Sequence, residues 1–174
     1  MDVRAVGDVS DPDKLNGYLE MWKQTVTVQQ HFNEIEWKIR GLALTALTFT
    51  LGAASFTAST TDSPRAIDLL GGRASSSAVM ILIGLLIWLA FFFVDAGWYH
   101  KLLKASVEHG ELLEKEIQAY LPGAGLTARI SDRSPSRVWL TKWQLHSSGK
   151  LKMFYCTIAT MLAVLASVLQ LGGS

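Results

Sequence analysis

From Ala78 to Val94 the chain reads AVMILIGLLIWLAFFFV without a single charge, and Ser75 to Ser77 extend the run to about the 20 residues that cross a ~30 Å hydrocarbon core. A second apolar run, Leu151 to Leu171, carries one charge, Lys152, near its start, where the ammonium can reach the headgroups along its own alkyl stem. A third, Gly41 to Thr61, is uncharged but rich in Thr, Ser, Ala and Gly, a composition suited to a span sheltered by other helices because small side chains permit close approach. The polar stretches between these runs also carry helical periodicity. Asp11 followed by Pro12 marks a helix start, and Leu15, Leu19, Trp22 and Val26 then recur on one face of a helix that can continue into the first span. After the second span, Leu103, Val107, Gly110, Leu113, Ile117 and Tyr120 form one stripe opposite a charged face, which predicts an amphipathic helix ended by Leu121, Pro122, Gly123 and Gly125. Leu126 to Ser136 reads as a loop with turn signals at Ser134 and Pro135, and Arg137 to His146 as a shorter amphipathic helix.

These patterns predict an all-α membrane protein with three transmembrane helices and long helical extensions. Its segments are an N-terminal helix (1–40), transmembrane helices at 41–61, 78–97 and 151–171, a loop at 62–77, helices with a basic loop at 98–150, and a tail at 172–174. Composition agrees: 49% of the 174 residues are hydrophobic and 18% charged, below the about 25% of an average soluble chain. Cys156 is the only cysteine, so no disulfide scaffold forms within the chain. Asp2, Arg4, Asp8, Asp11 and Asp13 occupy the place of an apolar h-region, and no cleaved signal peptide is expected. Of the 16 Lys and Arg, five precede Gly41, nine lie between the second and third spans up to Lys152, and two (Arg65 and Arg73) lie between the first and second spans. The positive-inside rule then places the N-terminus in the cytoplasm and the C-terminus outside. With no organelle-targeting pattern in the sequence, a bacterial inner or plasma membrane is expected.

Two constellations carry the functional expectation. In the last span Cys156, Thr160, Ala163, Ser167, Gln170 and Ser174 are spaced 4, 3, 4, 3, 4, so small and polar residues share one stripe, while Ile158, Leu162, Leu165 and Leu169 repeat a similar spacing on another face. Such a stripe suits either tight helix packing or, in a symmetric ring of subunits, the lining of a pore with Gln170 as an uncharged constriction. Ahead of that span, Arg129, Arg133, Arg137, Lys142, Lys150 and Lys152 are interleaved with Trp139 and Trp143. Guanidinium groups and aromatic faces suit the phosphates and bases of a nucleic acid or nucleotide, and equally an anionic lipid surface. Asp95 and His100, five residues apart, share an α-helical face poorly. With Trp98 and Tyr99 they read as structural anchoring, whereas His31, Glu34 and Glu36, and His109 with Glu108 and Glu111, read as solvated faces. No metal site, cofactor or catalytic constellation is expected, so the chain reads as a non-enzyme.

The three-span layout, the run FFFVDAGWYHKLLKASVEHGELLE and the segment RVWLTKWQLH ahead of the last span resemble small membrane effectors of bacterial anti-phage systems paired with nucleotidyltransferase-like enzymes, the SLATT-type and Hailong-type effectors among them. Resemblance to the Hailong type implies a homotetrameric ion channel with a fold like insect gustatory receptors, held shut by a DNA oligomer in a cytoplasmic electropositive funnel. Carried onto this chain, it assigns ligand binding to the inner basic residues and pore lining to the last-span stripe. SLATT proteins usually have two spans, and the third span here departs from that pattern. The expectation is a membrane-depolarising antiviral effector gated by a cytoplasmic polyanion, a nucleic-acid oligomer or nucleotide. Its alternative is a membrane-anchored adaptor whose cytoplasmic helices dock a partner.

Overall fold

The computed structural model describes residues 11–59, 66–69, 72–133, 136–137, 144–145 and 147–172. In chain order they form α1 (Asp11–Ser59), β1 (Ala66–Leu69), β2 (Gly72–Ser75), α2 (Ser76–Val94), a π-helical turn (Asp95–Tyr99), α3 (His100–Gln118), α4 (Leu126–Arg133), β3 (Ser136–Arg137), β4 (Gln144–Leu145) and α5 (Ser147–Gly172). The long elements are all helices, and three stretches of helix are long and apolar enough to cross a membrane, as a multi-pass membrane protein requires. The chain divides into two compact units, one of residues 1–34 and 101–146, the other of residues 35–100 and 147–174.

The second unit contains the three apolar stretches. Asp11 and Asp13 favour the start of α1 through the helix dipole, and the helix passes through Gly41 and Gly52 without a break. Within its apolar stretch the hydroxyls of Thr45, Thr48, Thr50 and Thr57 donate to the carbonyls of Gly41, Leu44, Ala46 and Ala53, so each polar group is satisfied without water. The core comprises Ala43 and Ala54 of α1, Ile81 and Trp88 of α2, and Leu151, Tyr155, Leu162 and Ala166 of α5. Trp88 lies against Tyr155 at 4.9 Å between ring centroids and against Phe154 at 5.6 Å, and its indole N–H donates to the Tyr155 carbonyl at 3.0 Å. Gly84 marks the crossing of α1 and α2, since a β-carbon there would collide with the Thr50 side chain. β1 and β2 pair antiparallel, Ala66 opposite Ser75 and Leu69 opposite Gly72, a hairpin inside the segment read as a loop.

In the first unit α3 buries Gly110, Leu113 and Ile117, the centre of the stripe expected from sequence. A β-carbon on Gly110 would lie 2.7 Å from Gln29 Nε2, whose amide instead donates to the Ser106 carbonyl at 2.9 Å. Two local expectations are corrected here. Leu126 to Ser136 is not a loop, because α4 occupies Leu126–Arg133. Arg137 to His146 is not a helix throughout, because Ser136–Arg137 pairs antiparallel with Gln144–Leu145. The antiparallel pairing satisfies backbone N–H and C=O groups of these four residues that a helix would have paired locally.

Candidate functional site

The small, polar stripe of α5 is left uncovered by its own chain. Cys156, Thr160, Ala163 and Ser167 are exposed and Gln170 half-exposed, whereas Tyr155, Leu162 and Ala166 are buried. At 3.6 residues per turn the stripe lies about 100° around the helix from that buried face. Ile158 and Leu169 pack against the core beside Leu162, so much of the aliphatic row faces protein. The hydroxyls of Thr160 and Ser167 donate to the carbonyls of Cys156 and Ala163. Gln170 is committed within the chain: its amide N–H donates to the Arg73 carbonyl and its oxygen accepts the Ser75 N–H, both at 2.9 Å, tying α5 to β2. Ser174 lies outside the described residues.

Arg129 and Arg133 stand one turn apart on α4 and both are exposed, so the fold gathers them on one face. Arg137 follows on β3, and Lys150 and Lys152 are exposed at the start of α5 in the other unit. Trp139, Lys142 and Trp143 lie outside the described residues. What orients α4 is a distant carboxylate. Glu114 of α3, 2% exposed, accepts both the hydroxyl of Thr127 (2.6 Å) and its backbone N–H (2.9 Å) at the first turn of α4. It also accepts the indole N–H of Trp22 at 3.1 Å. Burial opposes its ionisation, but the Thr127, Trp22 and Ala128 donors together outweigh burial and hold the carboxyl below its ordinary value of 4.5. A depressed carboxylate stabilises the fold above its ordinary value, and that contribution is lost as pH falls through the folded value. Amide exchange over Leu126–Arg133, corrected for its intrinsic pH dependence, is therefore expected to accelerate below pH 4.5. In Glu114→Gln it should be fast already at pH 7 and insensitive to acid.

The third constellation escaped the sequence reading. Arg40 of α1 donates through Nε to Asp95 Oδ2 at 2.8 Å and through Nη2 to Asp95 Oδ1 at 3.2 Å and Glu36 Oε2 at 2.6 Å. His100 Nδ1 lies 3.1 Å from Glu36 Oε1, and the Tyr155 hydroxyl donates to Asp95 Oδ2 at 3.0 Å. Asp95 is 0% and Glu36 3% exposed, so Glu36 is not part of a solvated face. Nor are Asp95 and His100 on separate faces: the His100 N–H donates to the Asp95 carbonyl, an i to i+5 bond that brings the two residues over one another. The cluster joins α1, the π-turn and α5 at one end of the apolar helices, where the buried carboxylates of Asp95 and Glu36 are both paired with Arg40. Among the described residues no buried side-chain nitrogen or oxygen lacks a hydrogen-bond partner. The available signal was one basic and three acidic or imidazole side chains flanking apolar runs, since a charge beside a span must find a partner.

No family model matches the chain, and neither a curated protein nor a solved structure matches it.

Proposed function

We propose that the chain assembles as a symmetric homo-oligomer, a tetramer, and acts as a ligand-gated ion channel that depolarises a bacterial plasma membrane as an anti-phage effector. The observation that carries this reading is the α5 stripe, a row of small and polar residues that its own chain leaves uncovered along an apolar helix. In lipid such a face gains little, whereas in a ring of subunits it meets either a neighbour or water. On α1, Gly41, Thr45, Thr48 and Gly52 form a second exposed row at the spacing 4, 3, 4, and Gly41 and Gly52 have open space where a β-carbon would lie. That row suits contact between subunits, leaving the α5 stripe for the lumen. The controlling ligand is a cytoplasmic polyanion, a nucleic-acid oligomer or nucleotide made by a nucleotidyltransferase-like partner. Arg129 and Arg133 supply phosphate contacts, with the N-terminus inside and the C-terminus outside. No chemical step is assigned to the protein.

Cysteines at Thr160, Ala163 and Ser167 in a Cys156→Ala background are expected to react with small aqueous thiol reagents while purified protein conducts in bilayers, and cysteine at Leu162 to stay protected. Absence of conductance together with protection of all four positions returns the chain to the adaptor reading. The observation favouring that second reading is an apolar groove in the first unit, lined by Leu19, Trp22, Ile117, Leu121 and Leu126.

A further inference from the structure

We propose that Asp95 and its π-turn form a rotational latch on α5, holding Tyr155 and thereby setting which face of α5 is turned to the rest of the assembly. The inference rests on the channel reading and names what regulates the pore helix. α5 is tied near its start by the Tyr155 hydroxyl on Asp95 and the Trp88 indole on the Tyr155 carbonyl, and near its end by Gln170 on β2. Between those ties it packs through Leu162 and Ala166, with Ile158, Ala159 and Leu169 beside them, apolar contacts without a hydrogen-bonded direction. Near the start of α5 the hold on the Tyr155 side chain runs through one carboxylate, beside the Trp88 indole bond to the Tyr155 carbonyl. Asp95 Oδ2 receives both Arg40 Nε and the Tyr155 hydroxyl, so the charge pair that fixes Asp95 also fixes Tyr155.

The π-turn is what allows that carboxylate to serve α5 while His100, five residues on, reaches Glu36. Return of this segment to α-helical pairing turns one end against the other by about one residue, roughly 100°. Asp95 and His100 then no longer face the same way, and the Tyr155 and Glu36 contacts cannot both persist. α3 continues directly from the turn at His100, so displacement of α3 acts on the latch through the backbone itself. The stripe begins at Cys156, the residue after Tyr155, and lies about 100° from the buried face. Once Tyr155 is released from Asp95, a turn of α5 by about 100° exchanges the stripe for the buried row, which is the change a gate requires.

The test uses the full chain in lipid nanodiscs and reads geometry without conductance. Spin labels are placed at Ser167 or Met161, exposed positions on either side of the buried face of α5, each paired with a label at the exposed Leu86 of α2 in a Cys156→Ala background. Labelled subunits are diluted with unlabelled ones so that only distances within a chain are measured. In Tyr155→Phe, which keeps the ring packing and deletes one hydroxyl, a second population is expected in which the two distances shift in opposite directions by roughly 5 Å, half the width of a helix with its side chains. Asp95→Asn should give the same pair of shifts, and if that variant does not fold, Tyr155→Phe alone decides. Distances unchanged from the parent, or both moving in the same direction as a tilting or loosened helix would, overturn the latch. Failure of the channel reading appears separately, as absence of conductance in a protein whose α5 still rotates.

Discussion

Arg40→Met is expected to abolish the folded membrane unit under conditions where the parent survives. Arg40 is the guanidinium that both Asp95 and Glu36 engage, and Asp95 is wholly buried. Removing it leaves two carboxylates desolvated without their cation, and breaking a buried pair from one side costs about 3–5 kcal/mol. That is a large share of the about 5–15 kcal/mol by which proteins are stable. Arg40→Lys keeps the charge but lacks the planar fork that spans both carboxylates, so it should recover only part of the loss. Replacing the group together, as Glu36→Gln, Arg40→Met and Asp95→Asn, removes the uncompensated charge and should recover more stability than Arg40→Met alone retains. Denaturant midpoints in detergent, with recovery of monodisperse protein, provide the measurement. A triple variant no more stable than Arg40→Met would show that the damage comes from lost packing instead of stranded charge.

Gly84→Leu should be the most damaging change on α2. A β-carbon at this position would already overlap the Cγ2 methyl of Thr50, with Thr50 Cβ and Oγ1 each at 2.9 Å. Thr50 is β-branched and its hydroxyl is held on the Ala46 carbonyl, so it has little freedom to swing aside. The helices must separate, which forfeits the close contact around Ala43, Ala54 and Ile81. Overpacking of this kind costs about 1–3 kcal/mol for one methyl, and leucine adds more. The smaller Gly84→Ala change should be rescued by Thr50→Gly, because deleting the opposing side chain restores the space. The coupling is expected at about 1 kcal/mol or more, typical of residues in contact, against near-additivity if the two sites did not touch. Thermal unfolding of the four proteins of the cycle measures it.

The spans were legible in the sequence because transfer into lipid depends on the composition of one continuous run. Ala78 to Val94 and Leu151 to Leu171 need no partner to be apolar. The amphipathic face of α3 was legible for a related reason: Gly110, Leu113 and Ile117 recur with the helix period whatever they pack against. The α5 stripe could likewise be read as a stripe. Its neighbours could not, because periodicity defines faces and only the packing of α5 on α2 decided that Tyr155, Leu162 and Ala166 turn inward and the stripe is left open. α4 was missed because its cap is supplied by Glu114, thirteen residues earlier on another helix, and Leu126 to Arg133 alone contains no comparable start signal. The charged cluster was missed because its pairs are separated by 55, 60 and 64 residues and because the π-turn shifts the register between Asp95 and His100. Charges beside a span must be paired, and that requirement is present in the sequence. Which residues satisfy it is a matter of distances across three helices, and tertiary structure alone sets those.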